Sequence, residues 1–164
     1  MKKQRLTHVG ADGEARMVDV TGKAETDRVA RAGGSIRMKA ETLDSIIGNS
    51  LAKGDVLSVA KVAGIMAAKK TAELVPLCHP IPLGEIKVVL TPDPSIPGLR
   101  CEATVRTHGQ TGVEMEAITA VAVALVTVYD MAKAVDKDMQ INDICLLEKA
   151  GGKSGHWQRE GQKP

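Results

Sequence analysis

The sequence predicts an α+β fold of the ferredoxin-like kind, a split βαβ with an antiparallel sheet and helices packed on one face. Three observations point there. From Ser35 onward the predicted elements run strand, helix, strand, strand, helix, strand. Two Val- and Ile-bearing segments, Glu85–Thr91 and Arg100–Thr107, flank the turn-rich stretch 92–98 and so form an antiparallel hairpin. A continuous apolar run, Ala117–Val128, sits inside a longer helical pattern and needs a second layer to bury it.

Taken in order, the first thirty or so residues are polar and broken by glycine at Ala11-Asp12-Gly13 and Thr21-Gly22-Lys23. Residues 1–33 are therefore assigned to an extended arm, in which Met17, Val18 and Val20 suggest a short strand. Ser35–Ala40 alternates apolar with basic residues, the period of a half-buried strand. Glu41–Ile47 offers a short helix ended by Gly48-Asn49. Asp55 can cap a longer one carrying Val56, Val59, Ala60, Ala63, Ala67 and Ala68 on one broad face. Lys69 and Lys70 close that helix where cations suit its negative end, and Pro76 and Pro80 mark a loop.

Arg100–Thr107 then places Cys101, Ala103 and Val105 on one face of a strand. Thr111-Gly112-Val113-Glu114 matches a capping box opening a helix to about Val135, and Met139–Leu147 gives the last strand. Residues 34–150 form the domain, and 151–164 are a Gly/Lys loop with a polar tail. The helix from Val113 to Val135 is apolar nearly all round. A two-layer domain buries one face of it, so a homo-oligomer is expected.

Composition narrows the function classes. In 164 residues, 43% apolar content builds one core, while a net charge of +2 makes no demand for nucleic acid or a membrane surface. Tyr129 and Trp157 are the only aromatics, so Arg100–Thr107 lacks the base-stacking rings of a ferredoxin-like RNA-binding module. The three cysteines, Cys78, Cys101 and Cys145, are odd in number and unpaired in spacing, which fits free thiols in a reducing compartment. The amino terminus turns polar too soon for a signal peptide, and Ala117–Val128 is too short to cross a bilayer, so the expected location is cytoplasmic. Neither H-E-x-x-H nor paired C-x-x-C spacing occurs, and no metal site is expected.

Four features collect polar residues that a plain αβ domain does not need. His79 lies in the Pro-stiffened loop Leu74–Pro80, where a titratable group can be held in a cleft; a loop histidine bonded to a carbonyl is the rival reading. Gly109–Glu116 leads a glycine turn into a helix, an arrangement that favours phosphate. There Glu114 can act merely as the capping-box carboxylate, whereas Glu116 cannot. Asp130 and Lys133, three apart on one helix face, could exchange protons if partly desolvated, with pKa values moved toward neutrality; an ordinary surface ion pair is the alternative. Leu147–Gly155 imitates a P-loop but has Leu147 where the motif requires glycine and no helix after it, leaving a glycine loop whose lysines can hold phosphate. Lys53, Lys23 and Arg28 add cations.

These segments resemble the MoaC family. The resemblance rests on Leu6-Thr7-His8, Met17-Val18-Asp19-Val20, Lys53-Gly54-Asp55-Val56, Leu77-Cys78-His79-Pro80, Thr111–Ala117, Tyr129-Asp130-Met131 with Lys133-Ala134-Val135, and Gly151–Gly155. It covers about Leu6 to Gly155, and motifs in this order are far more specific together than singly. It implies a ferredoxin-like subunit in a hexamer of three dimers with active sites at the dimer interface. It also implies a phosphorus–oxygen lyase of molybdenum cofactor biosynthesis. That lyase converts 3′,8-cyclo-7,8-dihydroguanosine 5′-triphosphate to cyclic pyranopterin monophosphate and releases pyrophosphate. By motif, Asp130, Lys133 and Lys53 correspond to the acid–base group. Leu77, Cys78, His79, Glu114, Met115 and Glu116 correspond to substrate-binding stretches, with Lys149, Lys153, Lys23 and Arg28 as phosphate contacts. No cofactor is implied, although Mg²⁺ could accompany the triphosphate. The rival class is a non-catalytic nucleotide sensor, which needs the same cations but leaves Asp130, Lys133 and His79 surplus.

Overall fold

A computed structural model describes residues 14–153 and 155–160. Leu6-Thr7-His8, Ala11-Asp12-Gly13 and Ser154 of the glycine loop lie outside the described residues. The elements are β1 (Thr26–Arg37), α1 (Ala40–Ile47), α2 (Val56–Lys69), α3 (Thr71–Leu74), β2 (Glu85–Asp93), β3 (Gly98–Gly109), α4 (Glu114–Ala132), β4 (Gln140–Ala150) and β5 (Trp157–Gln158). The sheet order is β2-β3-β1-β4-β5 with every neighbouring pair antiparallel. β3 lies between β1 and β2, and β1 lies between β3 and β4, so two split βαβ units interleave. This is the α+β arrangement the element order predicts.

Strand β1 is longer than expected. It begins at Thr26 and pairs with β3 from Thr26 opposite Gly109 to Arg37 opposite Gly98, so residues 26–33 of the expected arm belong to the central strand. Gly33 and Gly34 disguised it, for glycine weakens a strand reading. Here each sits against neighbouring side chains. A Cβ at Gly33 would stand 2.8 Å from Leu147, and one at Gly34 3.0 Å from both Ile144 and Val121. Met17–Val20 is not a strand. The tail supplies one instead, since Trp157 and Gln158 pair with Lys149 and Glu148 of β4.

The core lies between the sheet and α2 with α4. Ile36, Leu99, Val105, Val121, Leu125 and Val128 are fully buried, each contributing roughly 1.5–3 kcal/mol through burial. α2 buries Val56, Ala60, Gly64, Ala67 and Ala68 and leaves Val59 exposed, turned from the face the sequence suggested. Gly64 lies against α4, where an added Cβ would stand 2.8 Å from the Ala120 carbonyl. Packing between sheet and α2 also explains why α4 is apolar nearly all round. On α2 the outward face exposes Val59, Val62 and Met66. The uncovered sheet face carries charge, with Arg31 bridging Glu102 (3.1 Å) and Glu148 (3.4 Å).

Candidate active site

At the start of α4, three segments meet: the beginning of β1, the turn after β3 and the connection from β4 to β5. They enclose a cavity of about 560 Å³ lined by Lys23, Thr26, Arg28, Glu114, Lys149 and Lys153. A second cavity of about 290 Å³ adjoins it, sharing Lys23, Thr111, Gly112 and Glu114 and adding Leu77, Cys78, His79, Met115 and Glu116. Every residue proposed from sequence as a substrate contact thus lines one of two joined cavities.

The walls are built by specific contacts. Arg28 donates from Nε to the Gly109 carbonyl at 2.8 Å and from Nη2 to the Gln110 carbonyl at 3.0 Å. Its Nη1 lies against Gly152, where any Cβ would overlap it, and Gly151 and Gly152 adopt φ of +103° and +67°. Only glycine holds such a conformation without strain, so the loop closes around the guanidinium. Arg28 is first a brace for two walls, with much of its donor capacity already committed.

No capping box forms. Val113 occupies the N-cap of α4 without a side-chain bond, and Glu114 instead pairs with Lys149 at 3.0 Å. Lys149 reaches it because β4 runs on to Ala150, three residues beyond the predicted end. His79 Nε2 lies 2.8 Å from the Val18 carbonyl, which only accepts, so that nitrogen carries the hydrogen. The carbonyl-bonded reading of this loop histidine is therefore met, inside the cavity wall rather than away from it. Thr107 donates to the Pro82 carbonyl at 2.6 Å and anchors the end of the same proline-rich loop.

Glu116 is 4% exposed, and burial pushes its carboxyl up to about 6, with the charge of Glu114 acting in the same direction. Burial likewise raises the Cys78 thiol, and the Glu116 charge adds to it. Sequence reasoning passed over Thr26, whose hydroxyl is buried with no hydrogen-bond partner among the described residues. Two positions before Arg28 on a strand, it shares that residue's face, a signal available only once the strand is recognised. Among the described residues no group of three or more His, Cys, Asp or Glu gathers to hold a metal.

The remaining expected residues lie at the other end of α4. Lys53, in the loop before α2, donates to Asp130 Oδ2 at 2.7 Å and to the Asp130 carbonyl at 2.8 Å, while Lys133 donates to Oδ1 at 2.6 Å. All three side chains are about half exposed. Lys133 and then Lys53 hold the Asp130 carboxyl down to about 2, and Asp130 raises Lys133. The expected drift toward neutrality is thus reversed in this pair, because each group stabilises the other's charge. Fourteen residues of α4 separate Glu116 from Asp130, about 21 Å at 1.5 Å per residue. One chain does not bring the two clusters together.

The model of the MoaC family matches residues 17–152. The cyclic pyranopterin monophosphate synthase of Dinoroseobacter shibae is 61% identical over 155 residues, 94% of this chain and 98% of that protein. The enzyme of the same name from Chloroflexus aurantiacus is 61% identical over 154 residues, 94% of each chain.

Proposed function

The chain belongs to the MoaC family, and from that premise we propose how its geometry serves cyclic pyranopterin monophosphate synthesis. The reaction converts 3′,8-cyclo-7,8-dihydroguanosine 5′-triphosphate to cyclic pyranopterin monophosphate and pyrophosphate within molybdenum cofactor biosynthesis. Lys23, Lys149 and Lys153, with N–H groups of the two glycine turns, neutralise the triphosphate in the larger cavity, and Arg28 keeps those turns in place. Leu77, Cys78, His79, Met115 and Glu116 hold the purine-derived ring in the smaller one, where the carboxylate of Glu116 can accept from ring N–H groups. Asp130, Lys133 and Lys53 move protons as the pyran ring and the cyclic phosphate form.

One observation carries this reading. The cavities and the Lys53–Asp130–Lys133 cluster sit about 21 Å apart on one helix, too far to act on one small molecule, so a neighbouring subunit completes each site. The apolar residues Val59, Val62 and Met66 on the outer face of α2 support association, here proposed as a hexamer of three dimers.

The test is complementation within the oligomer. Lys133→Ala and Glu116→Gln proteins, each inactive alone, are dissociated, mixed and reassembled, and pyrophosphate release from the cyclised nucleotide is followed. Recovery of a fraction of wild-type activity is expected, because some interfaces pair an intact cavity with an intact cluster. Absence of recovery in verified mixed oligomers rules out the shared site. Wild-type binding without any pyrophosphate release would favour a nucleotide sensor instead.

A further inference from the structure

We propose that Asp136 is the positioning residue of the Lys53–Asp130–Lys133 cluster, fixing both lysines by clamping the end of α4 to the start of α1. Its catalytic consequence rests on the role proposed above for that cluster; the clamp itself does not.

Asp136 lies four residues beyond α4 and is 1% exposed, although it is a carboxylate. Such burial is tolerated only when the oxygens are fully engaged. Oδ2 accepts from the backbone N–H of Lys39 at 2.8 Å and from the Thr42 hydroxyl at 3.2 Å, and Oδ1 accepts from the Asp138 N–H at 3.1 Å. Lys39 is the N-cap residue of α1 and supplies no side-chain cap of its own. Asp136 therefore does for α1 what a capping-box carboxylate in the first turn does for other helices, accepting from the N–H of the N-cap residue, but from 97 residues away. The negative charge also faces the positive end of that helix.

The clamp closes a ring. From α1 the chain runs through Asn49 (φ +51°) and Gly54 (φ +86°), and Lys53 in this loop returns to Asp130 with two hydrogen bonds. On the other side, Lys133 ends α4 with its N–H bonded to the Tyr129 carbonyl, and the Tyr129 hydroxyl donates to the Lys137 carbonyl at 3.0 Å. Lys133 thus sits in a turn pinned on one side by Tyr129 and on the other by Asp136. Release of Asp136 frees the turn carrying one lysine and the helix leading to the other.

The test compares wild type with Asp136→Asn, which keeps the shape but sets an amide against donors. Single-lysine acetylation rates are read by mass spectrometry beside steady-state kinetics. Lys53 and Lys133 should react several-fold faster in the variant, with Lys23 and Lys153 unchanged. In kinetics, kcat should fall about tenfold with KM within twofold, since the substrate cavities lie elsewhere. Unchanged rates at Lys53 and Lys133, or an equal rise at every lysine, overturns the inference. Thr42→Val, which removes one donor to Oδ2 and is nearly isosteric, should shift the same two lysines to a smaller extent and carries the test should Asp136→Asn fail to fold. A wild type with no turnover sinks the functional reading alone, because the acetylation pattern still decides the clamp.

Discussion

The two ends of α4 carry acidic side chains in opposite states. At the first, Glu116 is buried among Leu77, Cys78 and Met115, and water's absence lifts its carboxyl to about 6. At the second, Asp130 stands in solvent between two ammonium groups that drive it to about 2. The difference teaches that perturbed acidity does not arise at one kind of place. One end supplies an enclosed group poised to change charge near neutrality, and the other supplies fixed charges awaiting a cover. Under the shared-site reading proposed above neither is sufficient alone, and their separation along a rigid rod is what calls for a second subunit.

The largest effect is expected at the exposed end. Lys133→Ala should abolish turnover, a loss of at least roughly 10³-fold for a proton-transfer group, while circular dichroism and oligomeric state stay those of wild type. Wild-type pyrophosphate release in that variant would remove the proton-transfer role. Next in size, Arg28→Lys should raise KM about tenfold with a smaller change in kcat, because an ammonium cannot reach the Gly109 and Gln110 carbonyls together while lying against Gly152. An unchanged KM would show that the brace is dispensable.

The buried end sharpens the contrast through pH. Activity that needs ionised Glu116 should fall on the acid side with a midpoint near 6, whereas Asp130 stays ionised far below that. A kcat/KM profile flat from pH 7 to 5 would remove Glu116 from the essential groups. The smallest expected effect is on stability. The folded-state pKa of Glu116 is raised from 4.5, so its contribution is complete below that value and is lost as pH climbs through about 6. Glu116→Gln should therefore be more stable than wild type at pH 7.5 by about 2 kcal/mol, and the gap should close by pH 4, as read from urea denaturation.

Much of this was legible in the linear chain. The α+β order followed from periodicity at Arg100–Thr107 and at Val113–Val135, and the motifs around His79, Glu116 and Asp130 marked the segments that line the cavities or the cluster. What escaped has physical reasons. β1 was cut short because Gly33 and Gly34 report space needed by Leu147 and Val121, not local preference. The capping box at Thr111 failed because the helix opens two residues later, with Val113 as its N-cap, and Glu114 at its first position pairs with Lys149 of β4. The acidity of Asp130 was misjudged in direction because the group is half exposed, so that Lys133, and then Lys53 from 77 residues earlier in sequence, stabilise its charge. Thr26 and β5 depended on strands that only pairing reveals.

Gly64 has a reach beyond its own contacts. Because its missing side chain lets α2 rest on the backbone of α4, the spacing between these two rods is set at its minimum, and the loop carrying Lys53 feeds directly into the first of them. A single methyl at position 64 would meet the Ala120 carbonyl at 2.8 Å and act as a wedge between the two rods. The reach of Lys53 to Asp130 would then have to be met across a wider gap, eleven residues from the change.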